Sequence, residues 1–130
     1  MIASKIPANE CDRLKDLFEY EVLDTPPEGR FDDLVSLASH ICETPIALIS
    51  LVDESRQWFK ARVGLEVQQT SRELSFCSHA IHGNEIFEVS NTLVDDRFKN
   101  NLLVTGEPHI RFYAGFLCLL LGGTLLGHFV

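Results

Sequence analysis

The sequence IALISLVDESRQWFKARVG, residues 46–64, carries the clearest structural signal in the chain. Its first seven residues are almost uninterruptedly apolar, which is typical of a central strand that is covered on both faces. The polar run DESRQ then predicts a turn, and WFKARVG alternates in polarity. One side of this alternation carries Phe59, Ala61 and Val63, and the other carries Trp58, Lys60 and Arg62. The whole stretch therefore predicts a β-hairpin.

Two helices are predicted before this hairpin. Leu14, Leu17 and Phe18 form an apolar stripe at helical spacing over residues 10–20. In the motif TPPE, Thr25 has the position and chemistry of an N-cap for a second helix that begins at Pro26. This helix should end at Thr44, because Pro45 disfavours helical geometry in the residue before it. We expect its buried face to consist of Phe31, Leu34, Val35, Ala38, Ile41 and Cys42.

The chain after the hairpin predicts further antiparallel sheet. IFEVSN, residues 86–91, reads as a short strand, and two apolar runs flank Gly122 and Gly123. The Gly-Gly pair indicates a final hairpin. The alternative is a membrane anchor, because residues 112–130 carry no fixed charge and approach the ~20 residues that a membrane helix needs. Four glycines within that segment favour the buried hairpin.

Composition excludes some classes of partner. The chain has 130 residues and a net charge of −8, with 11 basic and 19 acidic residues and no basic cluster. A phosphate backbone would be repelled, so we expect no nucleic-acid partner. The four cysteines show no CxxC pattern, and the first residues lack the apolar run of a secretory signal. We therefore expect a cytoplasmic protein with free thiols. We expect no membrane partner.

The segment SFCSHAIHG, residues 75–83, concentrates the reactive side chains of the chain. If Ser78 caps a short helix that ends at Gly83, His79 and His82 lie near each other and Cys77 lies far around the helix axis. The three side chains then cannot converge on one metal, so no metal site is expected. Cys77 as a nucleophile with a lowered pKa is a second option, although burial is the ordinary fate of such a thiol. A pocket lid or wall is the interpretation we favour.

Six motifs together resemble the GAF domains of bacterial signalling proteins, in particular those at the N-termini of sensor histidine kinases and diguanylate cyclases. They are VLDTPPE, RQWFKARVGL, FCSHAI, DDRF, NNLLVTG and IRFYAG. The likeness spans residues 13–115 and implies an α+β fold, with helices packed on a six-stranded antiparallel sheet. It also implies a small-molecule pocket on one sheet face, with FCSHAI and DDRF as lids. The resemblance further implies a sensory or regulatory role without catalysis.

The resemblance and the residue chemistry give a set of candidate ligand-binding residues. Arg111 is expected on the sheet face opposite Phe112, where it either anchors an anionic ligand or is an ordinary surface cation on a strand. The full set is Phe76, Cys77, His79, Asp96, Arg97, Phe98, Arg111 and Tyr113. No catalytic residue is expected, and the ligand and any cofactor are unknown. Covalent tetrapyrrole attachment is not favoured, since the order Cys-Ser-His differs from the family's attachment motif. A Cys77-based redox enzyme, similar to free methionine sulfoxide reductases, remains the alternative.

The sequence departs from the family pattern over residues 116–130. The last helix of the family, which often pairs two protomers, is expected to be missing from this single domain of residues 1–130. Residues 1–9 are expected to be flexible. A homodimer through the first helix and an uncovered sheet face is predicted, with a signalling output domain as a further partner. A third hypothesis for the function is a truncated module that only dimerises.

Overall fold

The computed structural model describes residues 3–82, 85–120 and 123–129. In these residues six strands form one antiparallel sheet in the order β3-β2-β1-β6-β5-β4. The strands are β1 Ala47–Val52, β2 Arg56–Val63, β3 Gln69–Ser71, β4 Phe87–Val89, β5 Tyr113–Leu120 and β6 Gly123–Phe129. The α-helices are α1 Glu10–Glu19, α2 Gly29–Cys42, α3 Cys77–Ala80 and α4 Leu102–Thr105. Two 3₁₀ turns cover Arg72–Leu74 and Thr92–Val94. The predicted α+β class is confirmed.

The predicted central hairpin is confirmed, but its side-chain alternation is wrong beyond Phe59. The register of β1 against β2 shifts, so that Ile49 pairs with Ala61 and Ser50 pairs with Phe59. Lys60 is therefore the extra residue of a β-bulge, and the alternation inverts after it. Phe59 packs on one face of the sheet with Leu48, whereas Ala61 packs on the opposite face.

The two faces of the sheet have different coverings. On one face, Leu17 of α1 packs with Leu51 and Trp58, and Val35 of α2 packs with Ala47 and Ala61. On the other face lies the largest cluster of buried apolar side chains, covered by connecting segments and the short helices. Its buried members are Ile46, Leu48, Phe59, Phe76, Val89, Phe98, Val104 and Tyr113. Connecting segments thus replace long helices on this second face.

The start of α2 differs from the prediction. The helix begins at Gly29, and its N-cap Glu28 makes no side-chain capping bond. Thr25 is not the cap, because its hydroxyl donates to the carbonyl of Val22 and accepts a hydrogen bond from Lys60 Nζ at 2.7 Å. The buried Lys60 ammonium also contacts Pro26 O and Glu28, so the bulge residue of β2 fixes the segment that leads into α2.

The buried face of α2 is narrower than predicted. Val35 is buried and Phe31 and Ala38 are half-buried, but Leu34 and Ile41 are exposed. Cys42, the last helical residue, is also exposed, so its predicted core position is wrong. The helix contacts the sheet through one stripe at i, i+4 and i+7, and the apolar residues beside that stripe face away from it.

The C-terminal hairpin is confirmed by the antiparallel pairing of β5 with β6. Of the predicted Gly122–Gly123 turn, Gly122 lies outside the described residues, and so does Gly83, the predicted end of a helix. So does the burial of the side chains after Gly115. No helix in the described part of the chain is long and apolar enough to cross a membrane.

The N-terminal segment contacts the region of α3. Ser4 Oγ donates to the carbonyl of Ser78 at 2.8 Å and contacts His82 Nε2 at 2.8 Å. His82 Nε2 also lies 2.8 Å from the carbonyl oxygen of Lys5, and Pro7 is buried. The predicted flexibility of residues 1–9 stays a prediction.

Candidate functional site

A cavity of about 420 Å³ lies on the face of the sheet opposite α1 and α2. Ile46, Leu48 and Phe59 form its floor on the sheet. Residues 64–67 close one side, and the other is formed by Leu103, Pro108 and Ile110. The volume lies in the range of small-molecule sites, and the walls are mainly apolar, as such sites usually are.

Gly64 allows the chain to turn from β2 into this wall. Its φ is +79°, and a Cβ atom at this position would lie 1.9 Å from the carbonyl oxygen of Pro45. Only glycine fits that approach without rearrangement. The position of the following wall residues therefore depends on Gly64.

A buried network of uncharged polar side chains forms one end of the cavity. Gln57 Oε1 accepts hydrogen bonds from Ser50 Oγ at 3.1 Å and Ser75 Oγ at 2.9 Å. Gln57 Nε2 donates to Thr70 Oγ1 at 2.7 Å. Gln57 and Thr70 line the cavity. The network therefore joins β1, β2 and β3 to the segment that leads into α3.

The segment SFCSHAIHG contains α3, which begins at Cys77, so the predicted capping position of Ser78 is wrong. The capping acceptor is Ser75: its Oγ accepts a hydrogen bond from the backbone N–H of Ser78 at 3.1 Å. Ser78 Oγ instead donates to the Ser75 carbonyl at 2.8 Å. This local exchange of hydrogen bonds holds Phe76 and Cys77 against the cavity.

Cys77 and Tyr113 form a buried pair in the cavity wall. Tyr113 Oη donates to Cys77 Sγ at 3.7 Å. Burial raises the pKa of Cys77 to about 11, although contacts with Ser50, Tyr113 and Ser75 partly oppose the shift. Burial also raises the pKa of Tyr113 well above its usual value. Both groups are therefore neutral near physiological pH, and the predicted packing of Cys77 is confirmed by its 2% exposure.

Three of the eight candidate residues line the cavity, namely Phe76, Cys77 and Tyr113. Phe98 lies directly behind this wall, because its ring stacks on Phe76 with a centroid distance of 4.1 Å. His79 packs edge-on against Phe98 at 4.8 Å. The aromatic cluster therefore supports the wall, and a ligand-binding role for these side chains stays a prediction.

Asp96, Arg97 and Arg111 do not line the cavity. Arg97 forms two hydrogen bonds with Asp95, at 3.0 and 2.8 Å, and these bonds lower the pKa of Asp95. Asp96 is exposed and pairs with Lys99 at 3.0 Å. Arg111 precedes β5, so it does not alternate on the sheet, and its Nη1 donates to Val104 O at 2.9 Å. The motif DDRF was expected to form a lid. In the structure its last residue, Phe98, packs behind the cavity wall.

The structure adds cavity residues that the sequence did not single out. These are Gln57, Gln69 and Thr70 on β2 and β3, and Glu66 and Glu107 in the connecting segments. Gln57 lies on the same face of β2 as Phe59. A polar residue at a strand position where the alternation calls for an apolar one was the signal by which the sequence could have identified it. The carboxylates carried no pattern that separated them from ordinary loop charges.

The thiol and the two imidazoles of the segment SFCSHAIHG lie in different surroundings. Cys77 contacts Tyr113, His79 packs on Phe98, and His82 contacts Ser4 and Lys5. No group of three or more metal-binding side chains lies together in the part of the chain that the structure describes.

An ion cluster connects the cavity wall to α1. Glu10 of α1 accepts hydrogen bonds from Arg13, at 3.1 and 2.9 Å, and from Arg72 in the segment before α3. Arg72 also donates to the Asp53 carbonyl at 3.1 Å in the β1–β2 turn. Burial alone would raise the pKa of Glu10, but the two guanidinium groups lower it to about 2.

Comparisons with known proteins agree with this architecture. A family model of the GAF domain matches residues 26–130. A cyclic di-GMP phosphodiesterase of Pseudomonas aeruginosa is 42% identical over 115 residues, which are 88% of this chain and 20% of that protein. The chain thus spans about a fifth of the length of that curated relative.

Two solved structures have similar folds at low sequence identity. The GAF domain of a phosphoenolpyruvate-protein phosphotransferase from Coxiella burnetii has a TM-score of 0.61 at 14% identity, over 94% of this chain and 78% of that chain. A type II free methionine-R-sulfoxide reductase from Thermoplasma acidophilum has a TM-score of 0.58 at 11% identity, over 77% of this chain and 70% of that chain. These likenesses show the fold alone.

Proposed function

Because the chain belongs to the GAF domain family, we propose that it is a sensory module of a bacterial signalling pathway. It binds a small molecule in its cavity and transmits the binding event as a conformational change. The observation that carries this proposal is the cavity of about 420 Å³ with a buried polar network at one end. Apolar walls with a few convergent polar groups are typical of small-molecule sites.

The path of transmission runs from the cavity wall to α1. Phe76 and Cys77 line the cavity, and Arg72, four residues before Phe76, holds Glu10 of α1. The N-terminal segment is tied to the same region by the hydrogen bond of Ser4 to the Ser78 carbonyl. A ligand that displaces the wall therefore moves the attachments of α1.

We propose that the domain is not itself an enzyme. A thiolate nucleophile requires a lowered pKa and access to substrate, whereas Cys77 has a pKa of about 11 and is buried. This argues against the redox alternative. The structural likeness to a methionine sulfoxide reductase is a likeness of fold and does not favour that activity.

The signalling context is proposed from the curated relative. That protein is named a cyclic di-GMP phosphodiesterase, and the present chain matches a fifth of it. We propose that the domain regulates an output domain in cyclic di-GMP signalling, or a histidine kinase in a two-component system. We place it in the cytoplasm, where the free thiols Cys11, Cys42 and Cys77 would persist.

We further propose a homodimer through the outer face of the two long helices. Leu34, Leu37 and Ile41 of α2 and Phe18 of α1 are all more than half exposed. Such apolar side chains are typical of an association surface when they are contiguous. Sedimentation of Leu37→Glu and Ile41→Glu variants tests this proposal: both should be monomeric where the parent chain is dimeric.

The binding proposal is tested by a fragment screen with matched variants at the cavity mouth. Val67 lines the cavity and is 49% exposed, whereas Val94 is 75% exposed and lies elsewhere. Val67→Trp should narrow the mouth without burying the new ring, and Val94→Trp is its control. Fragments of mixed charge and polarity that stabilise the parent chain in thermal melts should lose their effect in Val67→Trp alone. A screen in which no fragment distinguishes the two variants contradicts the proposal.

A further inference from the structure

Charge is distributed unevenly around the cavity. Glu66 and Glu107 are the charged residues among its described lining side chains, and both are exposed at the mouth. No lysine, arginine or histidine belongs to that described lining. The remaining described lining residues are apolar or uncharged, so this part of the lining offers no counter-ion to an anion.

Two arginines next to the cavity walls donate to backbone carbonyls instead of lining the cavity. Arg62 Nε donates to the carbonyl of Leu65 at 3.0 Å, beside the segment that forms one wall. Arg111 Nη1 donates to the carbonyl of Val104 at 2.9 Å, beside the other. His109 pairs with the mouth residue Glu107 at 3.5 Å. These side chains therefore contact the loops around the cavity.

The energetics of burial then disfavour charged ligands. Moving an ion into an apolar cavity without a counter-ion is strongly unfavourable. An anion would also be repelled by the two carboxylates at the mouth. An ammonium group would be attracted by them, but carboxylates in contact with water contribute too little to compensate for burying the ammonium.

The polar end of the cavity favours a hydrogen-bond acceptor. The amide nitrogen of Gln57 carries two hydrogens. In the described residues, one of them is bound by Thr70 Oγ1, while Gln57 Oε1 is already occupied by two serine hydroxyls. The second hydrogen is available to an oxygen atom of a ligand.

From these observations we infer that the cavity binds an uncharged, mainly apolar molecule that carries one hydrogen-bond acceptor, and that it rejects anions. The inference rests on the proposed function and adds the chemical class of the ligand. It reverses the expectation that Arg111 anchors an anionic ligand. A cyclic dinucleotide, which carries two phosphates, belongs to the rejected class.

Three probes with one scaffold test the inference: naphthylmethanol, naphthylmethylamine and naphthoate. Their dissociation constants for the parent chain are measured by titration calorimetry near neutral pH. We expect naphthylmethanol to bind tightest and naphthoate to bind at least about tenfold more weakly, because of the burial cost of its charge. Val67→Trp should weaken naphthylmethanol binding, and Val94→Trp should leave it unchanged.

A second pair of variants isolates the role of the mouth. Glu66→Gln combined with Glu107→Gln should strengthen naphthoate binding by about two- to fivefold, which is the size of an exposed charge interaction, and leave naphthylmethanol unaffected. Glu19→Gln, an exposed carboxylate on α1, should change neither. Equal or tighter binding of naphthoate or the amine overturns the inference while leaving the cavity a binding site. Failure of all three probes also overturns it, and the fragment screen decides the proposed function separately.

Discussion

Replacing Glu10 by Gln should destabilise the protein by about 3 kcal/mol near neutral pH. The substitution keeps the size of the side chain and removes the charge that Arg13 and Arg72 surround. The pKa of Glu10 falls from its usual 4.5 to about 2 in the folded protein. At 1.36 kcal/mol per pKa unit, this difference corresponds to about 3 kcal/mol. The cost of breaking a buried ion pair, about 3–5 kcal/mol, gives a similar figure.

The pH dependence follows from the lowered pKa. A carboxylate with a depressed folded-state pKa stabilises the protein fully above its unfolded pKa, near 4.5, and this contribution is lost as pH falls toward 2. The difference between parent and Glu10→Gln should therefore be largest near neutral pH and shrink in acid. Urea unfolding at a series of pH values measures it.

Glu73→Gln is the matched control, because Glu73 is exposed and adjacent to Arg72 in sequence. It should leave the free energy of unfolding within about 0.5 kcal/mol of the parent. A Glu10→Gln variant as stable as the parent near neutral pH, or a difference that does not shrink in acid, refutes the assignment of Glu10 as the centre of the cluster.

Three further predictions concern the cavity and its support. Gly64→Ala should lower the free energy of unfolding, measured in urea, by at least about 2 kcal/mol, because Gly64 has a positive φ and lies close to the Pro45 carbonyl. Gly29→Ala, which has open space around it, should not lower the free energy of unfolding. Phe98→Ala should lower the free energy of unfolding by about 3–5 kcal/mol, since its ring is buried and stacked, whereas Leu102→Ala, at an exposed position outside the cavity lining, should change it by less than about 0.5 kcal/mol. In native protein treated with a thiol reagent, peptide mapping should find Cys11 and Cys42 modified well before Cys77, and comparable rates would contradict the buried position of Cys77.

The elements with local signals were predictable from the sequence. The apolar run of β1 and the extent of α1 depend on neighbouring residues alone, and both were identified correctly, although Phe18 of the predicted stripe is exposed. The bulge at Lys60 was not predictable, because it depends on how β2 registers against β1. Thr25 satisfied a local capping pattern, but Lys60, 35 residues away, binds its hydroxyl instead.

The candidate site was predicted only in part for a related reason. Phe76, Cys77 and Tyr113 belong to motifs whose resemblance placed them near a pocket, and the cavity includes all three. Arg111 and Asp96 were chosen for their charge, and charge alone does not fix the direction of a side chain. Gln57 carried only the weak signal of a polar residue at an apolar strand position, and Thr70 carried no signal until the fold brought separate strands and loops together.

Hydrogen exchange of α1 with and without bound naphthylmethanol tests the sensory account most directly. Binding should slow amide exchange in the cavity walls, residues 64–70 and 103–110, and should also change exchange in α1 Glu10–Glu19. In Glu10→Gln, where the connection through Arg72 is weakened, the change in α1 should decrease while that in the walls persists. A change confined to the walls of the parent protein would contradict transmission from the cavity to α1.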